Sequence, residues 1–128
     1  MKKVLLGLFM AGIAFSCSKS SSNNTTTHNV EYRVLNANKT ITQLEYNDAN
    51  GNSVHGDLST QTDALWSKTI SVHSNFHAEL KVDFNNTTSS TINYTLVILV
   101  DGVVKNSQAG QVAAQGISQA SVDYETQQ

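Results

Sequence analysis

From about residue 28 onward, apolar residues recur at every second position of the chain. Residues 76–84 show this most clearly, since their apolar side chains alternate with polar ones. A period of two predicts a β-strand with one buried face and one face in solvent. Residues 92–100 repeat the pattern. The apolar positions of the two runs are Phe76, Ala78, Leu80, Val82 and Phe84, then Ile92, Tyr94, Leu96, Ile98 and Val100.

Turn signals separate these runs from shorter alternating stretches near residues 30–34, 40–46, 53–58, 67–74 and 117–124. Asp101-Gly102 predicts a tight hairpin, because both residue types tolerate positive φ, and Asn50-Gly51 predicts another. Within residues 40–46, Ile41 and Leu44 are out of phase, which predicts a β-bulge. Because no segment has a helical period, we expect an all-β domain over residues 29–126. The prediction is a small antiparallel, immunoglobulin-like β-sandwich of about seven strands.

Val97 and Leu99 break the alternation, since they occupy the face of their strand where Asn93 and Thr95 are polar. Two interpretations are open. In one, a loop or the C-terminal segment covers the second face of a central strand; in the other, the residues form an exposed apolar patch for a partner or for lipid.

The first sixteen residues have the pattern of an export signal. Lys2 and Lys3 precede an apolar run over residues 4–15. The run is shorter than the roughly 20 residues that span a bilayer, so we expect a cleaved signal peptide over residues 1–16.

Ala14-Phe15-Ser16-Cys17 resembles a lipobox of the type found in lipoproteins of the Bacteroidota. We therefore expect Cys17 to carry acyl chains that anchor the protein in a membrane. Residues 18–27 contain no apolar side chain, which predicts that residues 17–28 form a flexible tether. The expected location is the bacterial cell envelope, on the outer membrane.

Composition narrows the chemistry further. The net charge is −2 with 14% charged residues, so nucleic-acid binding is not expected. Cys17 is the one cysteine, which leaves the domain without a disulfide, a Cys-ligated zinc ion or a thiol nucleophile.

No catalytic or nucleotide-binding motif occurs, so we predict a protein that is not an enzyme and needs no cofactor. His73 and His77 flank a predicted turn, and a hairpin there would bring them close, with Glu79 or His55 as a third metal ligand. Solvated surface histidines are the alternative that we favour, and no metal site is predicted. Trp66 is expected in the core, with a partner for its indole N–H.

Three segments resemble the MmpS family of mycobacterial membrane proteins. They are Tyr-Asn-Asp-Ala-Asn-Gly-Asn at residues 46–52, Leu-Trp-Ser-Lys-Thr at residues 65–69, and Leu-Val-Asp-Gly-Val-Val-Lys at residues 99–105. The resemblance covers roughly residues 30–125. It implies a small seven-stranded β-sandwich and a role as accessory subunit of an RND-type lipid exporter. Leu65 stands where that family has proline, Leu96 about where it has a cysteine, and a lipid anchor replaces its transmembrane helix.

The sequence thus predicts a lipid-anchored envelope lipoprotein with a non-catalytic sandwich. Its expected partners are the membrane, through Cys17, and an envelope or exporter protein. The alternative is a surface-displayed carbohydrate-binding or adhesion module.

Overall fold

A computed structural model describes residues 26–126, and these residues form eight β-strands and one 3₁₀ turn, Leu58–Thr60. The predicted signal peptide, Cys17 and residues 18–25 of the tether lie outside the described residues. No helix in the described part of the chain is long and apolar enough to cross a membrane. The strands are β1 (Thr27–Leu35), β2 (Ile41–Asn47), β3 (Ser53–His55), β4 (Leu65–His73), β5 (His77–Asn85), β6 (Ile92–Val100), β7 (Val103–Val112) and β8 (Ile117–Glu125).

The strands form two four-stranded sheets that pack face to face. The first sheet has the order β4-β1-β6-β7 and the second has the order β3-β2-β5-β8. Every pairing in both sheets is antiparallel. The predicted small antiparallel β-sandwich is confirmed, with eight strands where the pattern indicated about seven.

Side chains from the two inner sheet faces make one continuous core. The alternating residues of β5 and β6 lie in it as predicted: Leu80, Leu96 and Ile98 are completely buried. Phe84 stacks on Tyr94 with ring centroids 4.2 Å apart. Each such side chain contributes about 1.5–3 kcal/mol by leaving water, so alternation over nine residues is enough to orient a strand.

Both predicted hairpin turns are present. Asp101 and Gly102 have φ values of 52° and 81°, so both central residues of the β6–β7 turn are left-handed. That geometry matches the twist of the two strands. In the β2–β3 connection, Gly51 has φ 81° and its N–H donates to the Asp48 carbonyl at 2.9 Å.

The bulge predicted in β2 is confirmed, because the pairing of β2 with β5 shifts register between Ile41 and Gln43. The strand predicted over residues 53–58 is shorter in the structure. β3 ends at His55, and Asp57 caps the following 3₁₀ turn by accepting a hydrogen bond from the Ser59 N–H at 2.9 Å. Asp is a preferred residue at such a cap position, because its carboxylate accepts a hydrogen bond from a backbone N–H that has no partner within the turn.

Val97 and Leu99 are buried although they project from the outer face of the first sheet, with exposed fractions of 6% and 5%. In the strand pairing, Val97 lies beside Arg33 and Leu99 lies beside Glu31. Arg33 donates two hydrogen bonds to Glu31, from Nε at 2.6 Å and from Nη2 at 2.9 Å. The interpretation of Val97 and Leu99 as an exposed apolar patch is therefore wrong, because both side chains are buried.

Strand pairing reaches slightly beyond the predicted start of the domain at residue 29, because Thr27 and His28 already pair with β4. At the other end, Thr126 is buried and joins the end of β8 to the start of β5. Its Oγ1 accepts a hydrogen bond from the Phe76 N–H at 2.8 Å.

Candidate functional site

The outer face of the second sheet carries half of the ten carboxylates of the chain. Strand alternation and pairing place these residues together, because each lies opposite another outward-facing residue of the neighbouring strand. Lys81 is the one Lys or Arg among the described residues of this face. We call this surface the acidic face; its carboxylates are Glu45, Glu79, Asp83, Asp123 and Glu125.

His77 lies within the acidic face and is surrounded by three carboxylates. Its Nε2 is 3.4 Å from Glu79 Oε2 and 3.8 Å from Asp123 Oδ2. Its Nδ1 is 3.6 Å from Glu125 Oε1, which is too long for a hydrogen bond. This arrangement concentrates negative charge around a single imidazole at one end of the face.

Lys81 forms the shortest ion pair of this face, with Nζ 2.9 Å from Glu79 Oε1. The hydrogen bond from Lys81 lowers the pKa of Glu79, and His77 adds a smaller effect in the same direction. The same hydrogen bond raises the pKa of Lys81. The negative charge of Glu79 is therefore partly offset by the positive charge of Lys81. Asp123 and Glu125, by contrast, are largely exposed to solvent.

An open depression of about 400 Å³ lies on the acidic face, over the pairing of β2, β5 and β8. Charged groups and uncharged polar side chains line it: Gln43, Glu45, Lys81, Asp83, Gln119 and Ser121. Such a surface suits a polar or cationic partner better than an apolar ligand, since small-molecule pockets are mostly apolar and enclosed.

The three candidate histidines do not assemble as the hairpin hypothesis required. His73 ends β4 in the first sheet and His77 begins β5 in the second sheet, so the two strands do not pair with each other. His77 Nε2 lies 3.4 Å from Glu79 Oε2, and His55 Nδ1 lies 3.8 Å from Glu45 Oε1. Within residues 26–126, no three His, Cys, Asp or Glu side chains are grouped so that they could hold a metal ion.

Trp66 lies in the core, as predicted, with 3% of its surface exposed. Its Nε1–H donates to the Asp57 carbonyl at 2.8 Å, which supplies the expected partner. Gly56 makes this packing possible: a Cβ at that position would approach Trp66 Cζ2 to 2.8 Å and Leu44 Cδ2 to 2.6 Å. Trp66 therefore acts in packing and is not available to a ligand.

The sequence analysis named Glu79 only as a possible metal ligand, and it missed the acidic face and the contribution of β8 to it. Asp123 and Glu125 alternate with Val122 and Tyr124, so their outward direction is visible in the sequence. What the sequence does not show is that β8 pairs with β5, which sets Asp123 opposite Glu79 and Glu125 opposite His77. The available signal was the presence of acidic residues at outward positions of two alternating segments, residues 77–85 and 117–125.

The fold and the acidic face define a small all-β sandwich with one strongly polar sheet surface. Comparison with protein-family models and with curated proteins finds no match to this chain.

Proposed function

We propose that this protein is a lipid-anchored lipoprotein of the bacterial cell envelope whose sandwich is a non-catalytic recognition module. In this proposal the acidic face docks on a cationic surface of another envelope protein. The observation that supports it is the one-sided placement of charge, with five carboxylates and one lysine on a single sheet face. Complementary charge accelerates encounter and excludes partners of like charge.

The composition of the domain adds to this argument. Residues 26–126 contain all ten acidic residues but only five of the eight Lys and Arg residues of the chain. Removal of the predicted signal peptide would take away Lys2 and Lys3, so the mature protein is more acidic than the whole sequence. The resemblance to the MmpS proteins adds the expectation that the partner is a subunit of an RND-type exporter.

A carbohydrate-binding role has less support. Sugar-binding surfaces commonly present an exposed aromatic ring for stacking, and every aromatic side chain of residues 26–126 is buried or half-buried. The recognition of a protein surface is therefore the function that we favour.

Charge reversal tests the docking proposal. Asp123→Lys places a cation on the acidic face at an exposed position, and we expect it to abolish recovery of an envelope partner after crosslinking in intact cells. Asp63→Lys is the matched control, because residue 63 is an exposed acidic position in the β3–β4 connection, away from the acidic face. Equal recovery of the same partner by both variants would contradict the proposal, as would recovery of abundant lipoproteins alone.

Lipidation is tested separately by metabolic labelling with a radioactive fatty acid. We expect the label on the wild-type chain and none on Cys17→Ser, because the acyl chains are attached through the cysteine sulfur and its amino group. Labelling of both proteins, or of neither, would show that Cys17 is not the anchor.

A further inference from the structure

Two neighbouring valines at one end of the sandwich are unusually exposed. Val103 and Val104 begin β7 directly after the Asp101-Gly102 turn, and each has 56% of its surface in solvent. Lys105 follows them. We call these three residues the hairpin tip.

The chain enters the domain beside the hairpin tip. The Asp101 N–H donates to the Asn29 carbonyl at 2.8 Å, and the Asn29 N–H donates to Asp101 Oδ1 at 2.9 Å. His28 Nδ1 lies 2.7 Å from Asp101 Oδ2. These bonds fix the start of β1 against the turn. Since β7 lies two strands away from β1, the tip is roughly 10 Å from the point of entry.

The length of chain before this point connects the tip to the expected anchor. Residues 18–26 separate Cys17 from β1, and nine residues span at most roughly 30 Å when fully extended. The anchor therefore keeps the tip end of the sandwich within reach of the bilayer. The opposite end is about 30 Å further away, because the strands between them contain nine residues.

Ile117 is an exposed apolar residue at the opposite end of the sandwich from the hairpin tip. It is 83% exposed, more than either valine, but it pairs with Asn85 at the end of β5 that lies away from the tip. Its distance from the anchor makes it a natural control.

From this placement we propose that the hairpin tip rests on the lipid bilayer that holds the acyl chains of Cys17. The two valines enter the interfacial region, and Lys105 lies at the level of the headgroups. The inference rests on the proposed lipidation. It adds a defined orientation, in which the acidic face is roughly perpendicular to the membrane surface and remains accessible to a partner protein.

Spin labelling of the full-length lipidated protein tests this orientation. The protein is reconstituted into vesicles of phosphatidylethanolamine with a minor share of phosphatidylglycerol, carrying a nitroxide on Val104→Cys or, as control, on Ile117→Cys. Acylation of Cys17 leaves the introduced cysteine as the reactive thiol. We expect the label at residue 104 to collide more with oxygen than with a water-soluble nickel complex, and the label at residue 117 to show the reverse.

The outcomes separate the inference from the proposed function. If the protein floats with the vesicles but both labels are equally open to nickel, the orientation is wrong and lipidation stands. If the protein does not float, lipidation fails and the inference fails with it. Shielding of residue 104 from both reagents would show a protein contact instead, which also overturns the proposal.

An unlabelled measurement guards against insertion driven by the nitroxide itself. Backbone amides of residues 103–106 should exchange hydrogen severalfold more slowly on vesicles than in detergent-free solution of the unlipidated Cys17→Ser chain. The double variant Val103→Ser/Val104→Ser should lose this protection, whereas Ile117→Ser should keep it. Equal exchange on vesicles in the wild type, the double valine variant and Ile117→Ser would contradict membrane contact.

Discussion

Asn86 is completely buried, and backbone and side-chain groups of two loops bind both ends of its amide. Nδ2 lies 2.7 Å from the Ser90 carbonyl and 3.2 Å from the Val112 carbonyl, to which it donates. Oδ1 accepts from the N–H of Thr88 at 3.0 Å and from its hydroxyl at 2.7 Å. The Asn86 side chain thus holds the polar loop between β5 and β6 against the end of β7.

Replacing Asn86 by Ala should lower the free energy of unfolding by about 3 kcal/mol, since it removes several hydrogen bonds and leaves buried polar groups without partners. The exposed neighbour Asn85 is the matched control, and Asn85→Ala should change stability by less than about 0.5 kcal/mol. Chemical denaturation of both variants measures the difference. Similar values for the two would mean that the buried amide does not hold the loops together.

At the scale of the elements, Asp101 links the β6–β7 turn to the start of β1. The hydrogen bonds from His28 and from the Asn29 N–H lower the pKa of the Asp101 carboxylate. A lowered pKa means that the ionised group stabilises the folded state. That stabilisation is complete above the unfolded pKa of about 3.9 and is lost as the pH falls through the lower folded value.

Asp101→Asn isolates the charge, because Asn tolerates positive φ and can still accept a hydrogen bond from Asn29. We expect the wild type to be the more stable protein at about pH 5 and the difference to vanish as the pH falls well below about 4. Thermal unfolding across this range measures it. His28→Gln should weaken the same pH dependence, since it removes one of the two partners. A difference that persists unchanged to low pH would show that the charge of Asp101 is not involved.

For the molecule as a whole, the sheet edges differ in how they are protected against pairing with another chain. β3 has only three residues, and β7 carries a register shift. β8 is bridged by Asn106, whose Nδ2 donates to the Asp123 carbonyl at 2.7 Å. β4 is a regular nine-residue edge whose register with β1 is unbroken, and Lys68 at its centre is exposed. A lysine in mid-edge disfavours edge-to-edge association.

Lys68→Val should therefore increase concentration-dependent self-association, which size-exclusion chromatography over a range of loading concentrations detects. Lys81→Val makes the same change of charge and size on β5, which is paired on both sides and offers no free edge. We expect that variant to elute like the wild type. Equal association of both variants would indicate a general effect of surface hydrophobicity instead of edge pairing.

Local physics accounts for the parts of the fold that sequence alone predicted. The direction of the side chains in β5 and in the first half of β6 follows from alternation, since burial of apolar surface orients a strand without reference to its partners. The left-handed turn at Asp101-Gly102 follows from the residue types. The bulge in β2 follows from the phase error between Ile41 and Leu44. By contrast, the early end of β3 followed from capping by Asp57, which the alternating pattern did not show.

Tertiary structure alone decided which strands became neighbours. The sequence pattern joined β4 to β5 as a hairpin, but the chain crosses between the sheets there, so His73 and His77 belong to strands that do not pair. It gave no sign that β8 would pair with β5 and complete the acidic face. It also left open the surroundings of Val97 and Leu99, which lie beside Glu31 and Arg33 only because β1 pairs with β6. Periodicity is a property of single segments, whereas strand pairing depends on contacts between residues far apart in the chain. The sequence therefore determined the strands and the sides they present, and the packing of two sheets determined the surface that they form together.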